Sequence, residues 1–310
     1  MQWFYDPGYD YGGGLPGSPR EVHGFLLHKP SEIRAQLLRE CVVSASAFHS
    51  ATPVFEQELH YVHEAEMIAE LSDVQAIARA IELPEAALLP LPLVRRAVVL
   101  PQLCAAGGTC EALRVAAHGE WAINLSGGFH HARRDLSYGF CLVNDVALGI
   151  ARLRRAGVHR RVLIFDLDLH QGDGNATIFT NDPEVYTVSI HEEAIFPLPK
   201  VQSNLDIGLP SYTGDEVYLT RVQDAFTHIG QHFQPELIIY IAGSDPYKDD
   251  PLGSLQLTES GLLARDQLIG QFARELGCPL VALPAGGYSD KSPAITAAGF
   301  RALAAMERAE

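Results

Sequence analysis

The chain has 310 residues, 23 basic against 38 acidic, giving a formal net charge of −15, with 47% hydrophobic and 20% charged residues. That is ordinary globular composition and excludes a disordered or collagen-like chain. The acidic balance argues against a general nucleic-acid binder; it fits a cationic substrate or, more plainly, a soluble acidic surface.

The N-terminal stretch MQWFYDPGYDYGGG lacks a basic and then an apolar region, so it does not read as a signal peptide. The Gly/Pro-rich stretch 12–19 reads as a loop, not a domain boundary. From about 31 to 117 the pattern is helical and broken by prolines. From 120 onward the rhythm changes. Apolar runs at 121–125, 162–167, 185–190, 237–242 and 280–284 read as strands. Helical patterns at 143–156, 215–233 and 258–276 lie between most of them. Near-continuous apolar strands alternating with helices predict a parallel sheet covered on both faces. No run of about 18 apolar residues occurs, so no membrane-spanning helix is expected. The five cysteines, Cys41, Cys104, Cys110, Cys141 and Cys278, are scattered and form no CxxC pair. A disulfide framework is therefore not expected, and a reducing, cytoplasmic compartment is.

Four of the five strands run into unusual polar clusters. WAINL leads into SGGFHHA, VLIFDLD into LHQGDGN, LIIYIAG into SDPYKDD, and PLVALPA into GGYSD. In open α/β sheets, ligands bind at the C-terminal ends of strands. Four independent clusters at that edge point to one site.

Residues 166–170 carry the sharpest pattern. On an extended strand alternate residues share a face, so Asp166, Asp168 and His170 line one side while Leu167 and Leu169 pack. A carboxylate and an imidazole two residues apart can reach one divalent ion at about 2.0–2.2 Å. Catalytic zinc takes three protein ligands and leaves a position open, and Asp245, ending another strand, is the best third. A lone Asp there would read as a cap or a solvated loop residue; DxDxH at a strand end favours a metal. His130 and His131 follow Gly127 and Gly128, which let backbone pass close to a ligand. Histidine suits proton transfer near neutral pH, and Asp166 and Asp173 are available to fix the tautomers. Tyr288 follows Gly286 and Gly287, where a phenol can hydrogen-bond a developing oxyanion. It gains weight from its place beside the other clusters.

The set GGFHHA, FDLDLHQGDGN, AGSDPYKDDPLG and AGGY resembles the zinc-dependent histone deacetylase family, including its bacterial deacetylase-like members. The resemblance runs from roughly residue 100 to the C-terminus. Within the family, AAGGTCEAL before WAINLSGGFHH, Gln171 after His170, and GSDPYKDDPLGSLQLT are most similar to the class IV branch. The YDPGYD start and VHEAEMI around His63 resemble the family only loosely. The resemblance implies an α/β arginase/deacetylase fold: a central, mostly parallel sheet with helices on both faces, in a single deacetylase-like domain over 1–310. It implies zinc held by Asp168, His170 and Asp245, with ferrous iron as the alternative in the cell. A structural potassium near Asp166, Asp168, His170, Ser189 and Ile190 is a further family feature. The resemblance pairs His130 with Asp166 and His131 with Asp173. It makes His131 the main general base and acid, His130 its electrostatic partner, and Tyr288 the oxyanion donor. Phe140 and Phe196 match an aromatic pair that walls an acyl-lysine channel, and Gly139 sits where backbone can accept a substrate hydrogen bond.

The implied function is metal-dependent hydrolysis of an N-acyl group, acetyl or longer, from a lysine side chain of a protein or peptide. The alternative is an amidohydrolase of small N-acetylated amines such as acetylpolyamines. A non-enzymatic binding module is disfavoured because every site residue is present. One departure is FPLPK at 196–200, where many relatives have a Gly-containing turn. Glu192 and Glu193 read as a solvated loop rather than a substrate clamp. Arg152, Arg154, Arg155, Arg160 and Arg161 read as a solvated helix end and loop, not a nucleic-acid site. Homo-oligomerisation is expected, with no segment that locates an interface.

Overall fold

The computed structural model describes residues 1–12, 20–22 and 25–308. The loop expected at 12–19 therefore lies, Gly12 apart, outside the described residues. The strands are β1 (Gln2–Phe4), β2 (Glu21–Val22), β3 (Phe25–Leu26), β4 (Phe48–His49), β5 (Ala122–Asn124), β6 (Val162–Asp166), β7 (Val185–Glu192), β8 (Leu205–Leu209), β9 (Leu237–Ile241) and β10 (Leu280–Leu283). Eight form one sheet in the order β4-β1-β5-β10-β9-β6-β7-β8. Every neighbouring pair in it is parallel. β2 and β3 make a separate antiparallel ribbon.

The five expected strands all form, each within two residues of its predicted end. Their continuous apolar character follows from burial on both faces. Leu163, Phe165, Ile238, Tyr240 and Ala282 enter one core, packed by the helices Lys29–Arg39, Asp215–His232, Glu259–Glu275 and Ser292–Arg308. Val162, Ile164, Ile239, Val281 and Leu283 enter the other, under the helices Leu100–Ala116 and Asp145–Arg155. The pattern did not reveal β1, β4 or β8. β1 and β4 hold three and two residues. β8 is a half-exposed edge strand carrying Asp206 and Gly208.

The proline-broken N-terminal third is helical, as read. The helix Leu91–Val94 passes through a π turn, Arg95–Val99, into Leu100–Ala116. Pro101 has no N–H to offer the Ala97 carbonyl four residues back. The Gly12 N–H donates to that carbonyl instead, at 2.9 Å.

The register matters most for the site. Asn124, Leu283, Ile241 and Asp166 end four adjacent strands, β5, β10, β9 and β6. The four polar clusters therefore leave the sheet side by side. Among the described residues, no helix is long and apolar enough to cross a membrane.

Candidate active site

One detail of the 166–170 reading needs correction. β6 ends at Asp166, so Asp168 and His170 sit on a bent segment rather than on the strand. The alternation survives because carboxylates hold the bend. Asp168 N–H donates to Asp166 Oδ1 at 3.1 Å, His170 N–H to Asp168 Oδ1 at 3.0 Å, and Leu169 N–H to Asp245 Oδ1 at 3.0 Å. Leu167 and Leu169 are fully buried beneath.

Asp168, His170 and Asp245 each offer a donor atom within 4.8 Å of the others. His170 Nδ1 lies 3.3 Å from both Asp168 Oδ1 and Asp245 Oδ2. Asp245 Oδ2 is buried with no hydrogen-bond partner. Gly286 and Gly243 keep space open here. A Cβ at Gly286 would stand 2.6 Å from Asp168 Oδ2 and closer still to Asp245 Oδ2; one at Gly243 would stand 2.7 Å from Asp245 Oδ1. Burial pushes Asp245 up to about 7, and the adjacent Asp168 adds to the push. Burial works against a charge on His170, but Asp168 and Asp245 outweigh it and hold the imidazole up at about 10. Two carboxylates, one imidazole, an orphaned oxygen and glycine-lined space fit a divalent ion.

The two histidines each find the predicted acid. His130 Nδ1 is 2.7 Å from Asp166 Oδ2, and His131 Nδ1 is 2.7 Å from Asp173 Oδ1. The rings lie 4.0 Å apart, yet their environments differ. Burial pushes His130 down, but Asp166 and Asp168 outweigh it and hold it up at about 9. Burial and the neighbouring His130 push His131 down to about 4, against Asp173. The two rings are thus pushed in opposite directions, His130 towards the cation and His131 towards the free base. Asp173 is anchored in turn by Arg133, whose Nε and Nη2 donate to Oδ2 at 2.9 and 2.6 Å.

Tyr288 lines the same cavity as this pair. Burial, and then Asp245 and Asp168, push its phenol well above the usual range, so it stays a donor. Phe140 packs on Tyr288 at 5.8 Å between ring centroids. Phe196 packs edge-on against His131 at 5.0 Å and lies 6.2 Å from His170. The two aromatics therefore flank the phenol side and the imidazole side respectively. Gly139 lies between, at φ +56°, where a Cβ would meet the His131 ring at 2.7 Å. A cavity of about 80 Å³ has His130, His131, Gly139, Phe140, Gly286 and Tyr288 in its walls. Ser189 pairs with Asp166 across the β6–β7 ladder, beside Ile190.

Four supporting side chains were not singled out from sequence. Asp145, fully buried, accepts from Gly128 N–H (2.9 Å), Phe129 N–H (2.7 Å) and Thr109 O–H (2.6 Å), fixing the turn before the histidines. Asp250 accepts from the N–H groups of Tyr288 at 2.8 Å and Ser289 at 3.1 Å. Lys29 donates to the carbonyls of Ala285 and Gly286 at 2.9 and 2.7 Å. Burial pushes its amine down to about 8 despite Asp245, Asp168 and Asp250. His63 donates through Nδ1 to Arg133 O (2.8 Å) and accepts Asn144 N–H at Nε2 (3.0 Å). The second acid of KDD was the available signal for Asp250; Lys29 is remote in sequence and carried none.

The solvated-loop reading of Glu192 is wrong. Glu192 is fully buried, and its carboxylate accepts Ser211 O–H at 2.5 Å and Ser254 N–H at 2.8 Å. Glu193 is exposed, as expected. The basic cluster is engaged internally: Arg152 pairs with Glu58, Arg154 with Asp182, Arg155 lies over Tyr61, and Arg160 donates to Ala117 O. Arg161 lies 3.7 Å from Glu236.

The histone deacetylase domain model matches residues 26–303. The chain belongs to the histone deacetylase family. The match begins well before residue 100, so the N-terminal helices are part of the family domain and not only the motif-bearing segment. This histone deacetylase-family chain is 35% identical over 284 residues to histone deacetylase 2 of Arabidopsis thaliana, covering 89% of this chain and 72% of that one. It is 34% identical over 272 residues to an uncharacterized protein of Picosynechococcus sp., covering 87% and 88%. The crystal structure of the HDA15 HD domain superposes with a TM-score of 0.76 at 23% identity, covering 100% of this chain and 91% of that one. An HDAC homolog complexed with SAHA gives 0.76 at 21%, covering 100% and 84%. At such identities these structures speak to the fold alone, which is the arginase/deacetylase fold. Membership makes this histone deacetylase-family chain a hydrolase that acts on acetylated substrates.

Proposed function

We propose that this protein hydrolyses the amide of an N-acylated lysine side chain, using a divalent ion held by Asp168, His170 and Asp245. One observation carries the reading: His130 and His131, each paired with its own carboxylate and pushed in opposite directions, line one small cavity, and Gly286 in the same wall borders the three-residue donor cluster. When bound, the ion supplies Lewis-acid polarisation of the acyl carbonyl and activation of water. Zinc suits the mixed oxygen and nitrogen donors, and ferrous iron is the second candidate. A potassium ion beside Asp166, Asp168, His170, Ser189 and Ile190 belongs to the same proposal.

The side chains divide the remaining work. Asp173 holds His131 with its proton on Nδ1, which leaves the Nε2 lone pair to take a proton as water attacks. Pairs of titratable groups pushed in opposite directions identify acid and base roles. His130, cationic on Asp166, supplies positive charge nearby. The Tyr288 phenol donates to the oxyanion as it develops. His131 then returns its proton to the leaving amine. Phe140 and Phe196 pack the apolar stem of the lysine, and the Gly139 carbonyl accepts a hydrogen bond from the substrate.

A second cavity favours chains longer than acetyl. Its volume is about 470 Å³, within the usual ligand-pocket range of about 300–1,000 Å³. It shares Tyr11, Phe25 and Phe140 with the catalytic cavity, and Leu83, Leu93 and Val98 are among its apolar walls. The whole of 1–310 is proposed as one catalytic domain, in keeping with a family match over most of its length. The five free cysteines, four of them buried, support a cytoplasmic setting.

The test is hydrolysis of acetyl-, octanoyl- and myristoyl-lysine peptides and of acetylpolyamines, with and without a zinc chelator. Chelator-sensitive release from lysine peptides is expected. Turnover of acetylpolyamines alone would transfer the site to small amines, and chelator-insensitive turnover would remove the metal from the mechanism.

A further inference from the structure

Below the metal-ligand loops lies a buried arginine that the proposed chemistry does not use. Arg265 sits on the helix Glu259–Glu275 and is 1% exposed. Its Nε and Nη2 donate to Asp266 Oδ1 at 3.0 and 2.9 Å. The Tyr240 O–H, on β9, donates to the same oxygen at 2.5 Å. A salt bridge to Asp266 needs only those two nitrogens. Nη1 points elsewhere, donating to Gly243 O at 2.6 Å and Leu167 O at 3.2 Å.

Those two carbonyls belong to the two ligand loops. β6 and β9 stay paired as far as Asp166 and Ile241, and Leu167 N–H still reaches Ile241 O at 3.0 Å. Past that point the ladder stops. Asp168 follows Leu167 by one residue, and Asp245 follows Gly243 by two. The guanidinium spans the gap where strand pairing no longer can. A buried guanidinium is costly unless its donors are met. Here Nη1 is met by the backbones whose spacing decides whether two carboxylates can share one ion. Tyr218 reinforces the Leu167 end through its O–H, at 3.3 Å.

We propose that Arg265 is a positioning residue that sets the separation of the Asp168 and Asp245 loops and thereby the affinity of the site for its divalent ion. The inference rests on the metal-site reading above. Lysine cannot replace it, because an ammonium has no planar fork to reach two carbonyls and a carboxylate together.

The test measures Zn²⁺ affinity of the full chain by competition with a chromophoric chelator, with the melting temperature of each metal-free protein as the folding control. Two variants are compared with the parent: Arg265→Lys, which keeps the charge, and Arg265→Met with Asp266→Asn, which removes the charges together. The expected result is zinc bound about 10–100-fold more weakly by both, the scale seen when groups supporting metal ligands are lost, with the metal-free proteins still folded. Folded variants that bind zinc as tightly as the parent overturn the proposal. So does a loss of folding in both variants, which would make Arg265 purely structural. A parent that binds no zinc instead overturns the metal-site reading on which this rests.

Discussion

Gly286→Ala is the sharpest perturbation the site allows. Gly286 has a φ outside the left-handed region, so alanine meets no backbone obstacle. The added Cβ would stand 2.6 Å from Asp168 Oδ2 and closer still to Asp245 Oδ2, whereas real Cβ contacts stay above 3.0 Å. Asp168 Oδ2 must therefore retreat by about 0.4 Å and Asp245 Oδ2 by more. Metal–ligand distances tolerate only about ±0.2 Å. Both carboxylates leave that window together, so zinc affinity should fall at least 100-fold, about 2.7 kcal/mol. The fold should survive, because overpacking by one methyl costs about 1–3 kcal/mol. For a chain of this length that lowers the melting temperature by about 2–5 °C. The assay is elemental analysis after dialysis against zinc, alongside thermal melting of the metal-free protein. Stoichiometric zinc with parental turnover in the variant would refute the placement of the ion between these carboxylates.

Tyr288→Phe should lower kcat by about 10²–10³ with KM and metal content unchanged, the loss typical of one oxyanion donor; a parental kcat would remove Tyr288 from the mechanism. Asp173→Asn should lower kcat by about 10²–10⁴, because His131 loses the acceptor that fixes its tautomer, while retaining zinc; lost zinc would show that Asp173 serves the metal instead. His63 gives a pH signature. Burial holds it down at about 4 when folded, against 6.5 for an ordinary histidine, so the unfolded chain binds the extra proton first. Its contribution is fully present above pH 6.5 and is lost as pH falls towards 4, by up to about 3 kcal/mol. Denaturant titrations of the parent and His63→Gln at pH 7.5 and 4.5 should show a smaller pH-linked loss in the variant; equal losses would assign the acid sensitivity elsewhere.

The strands and site residues were legible where one residue's chemistry is visible in its own neighbourhood. β6 and β9 are buried on both faces and so read as unbroken apolar runs, with the polar residues that follow standing out. Asp168, His170 and Asp245 could be proposed from their types and their places at strand ends. Lys29, Asp145 and Arg265 could not, because each acts on backbone groups. Lys29 serves carbonyls more than 250 residues away, and any lysine in a helix first turn looks the same. Glu192 failed for the reverse reason: adjacent charges look solvated until Ser211 and Ser254 arrive from distant loops to satisfy one of them. Short strands such as β1 and β4 carry too few residues for any period to register, and their partners alone define them.

β10 separates β5 from β9 in the sheet, although β5 and β9 precede it in the chain by about 150 and 40 residues. Without β10 the sheet order divides into two parts, β4-β1-β5 and β9-β6-β7-β8, each with a bare edge facing the other. Such edges are templates for wrong pairing, and pairings between strands distant in sequence form slowly. The strand that closes this seam is followed at once by Gly286 and Tyr288. Completion of the sheet and placement of the proposed oxyanion donor therefore depend on one and the same strand. A chain shortened to end before residue 280 is therefore expected to lack Tyr288 and to leave two strand edges open to wrong pairing.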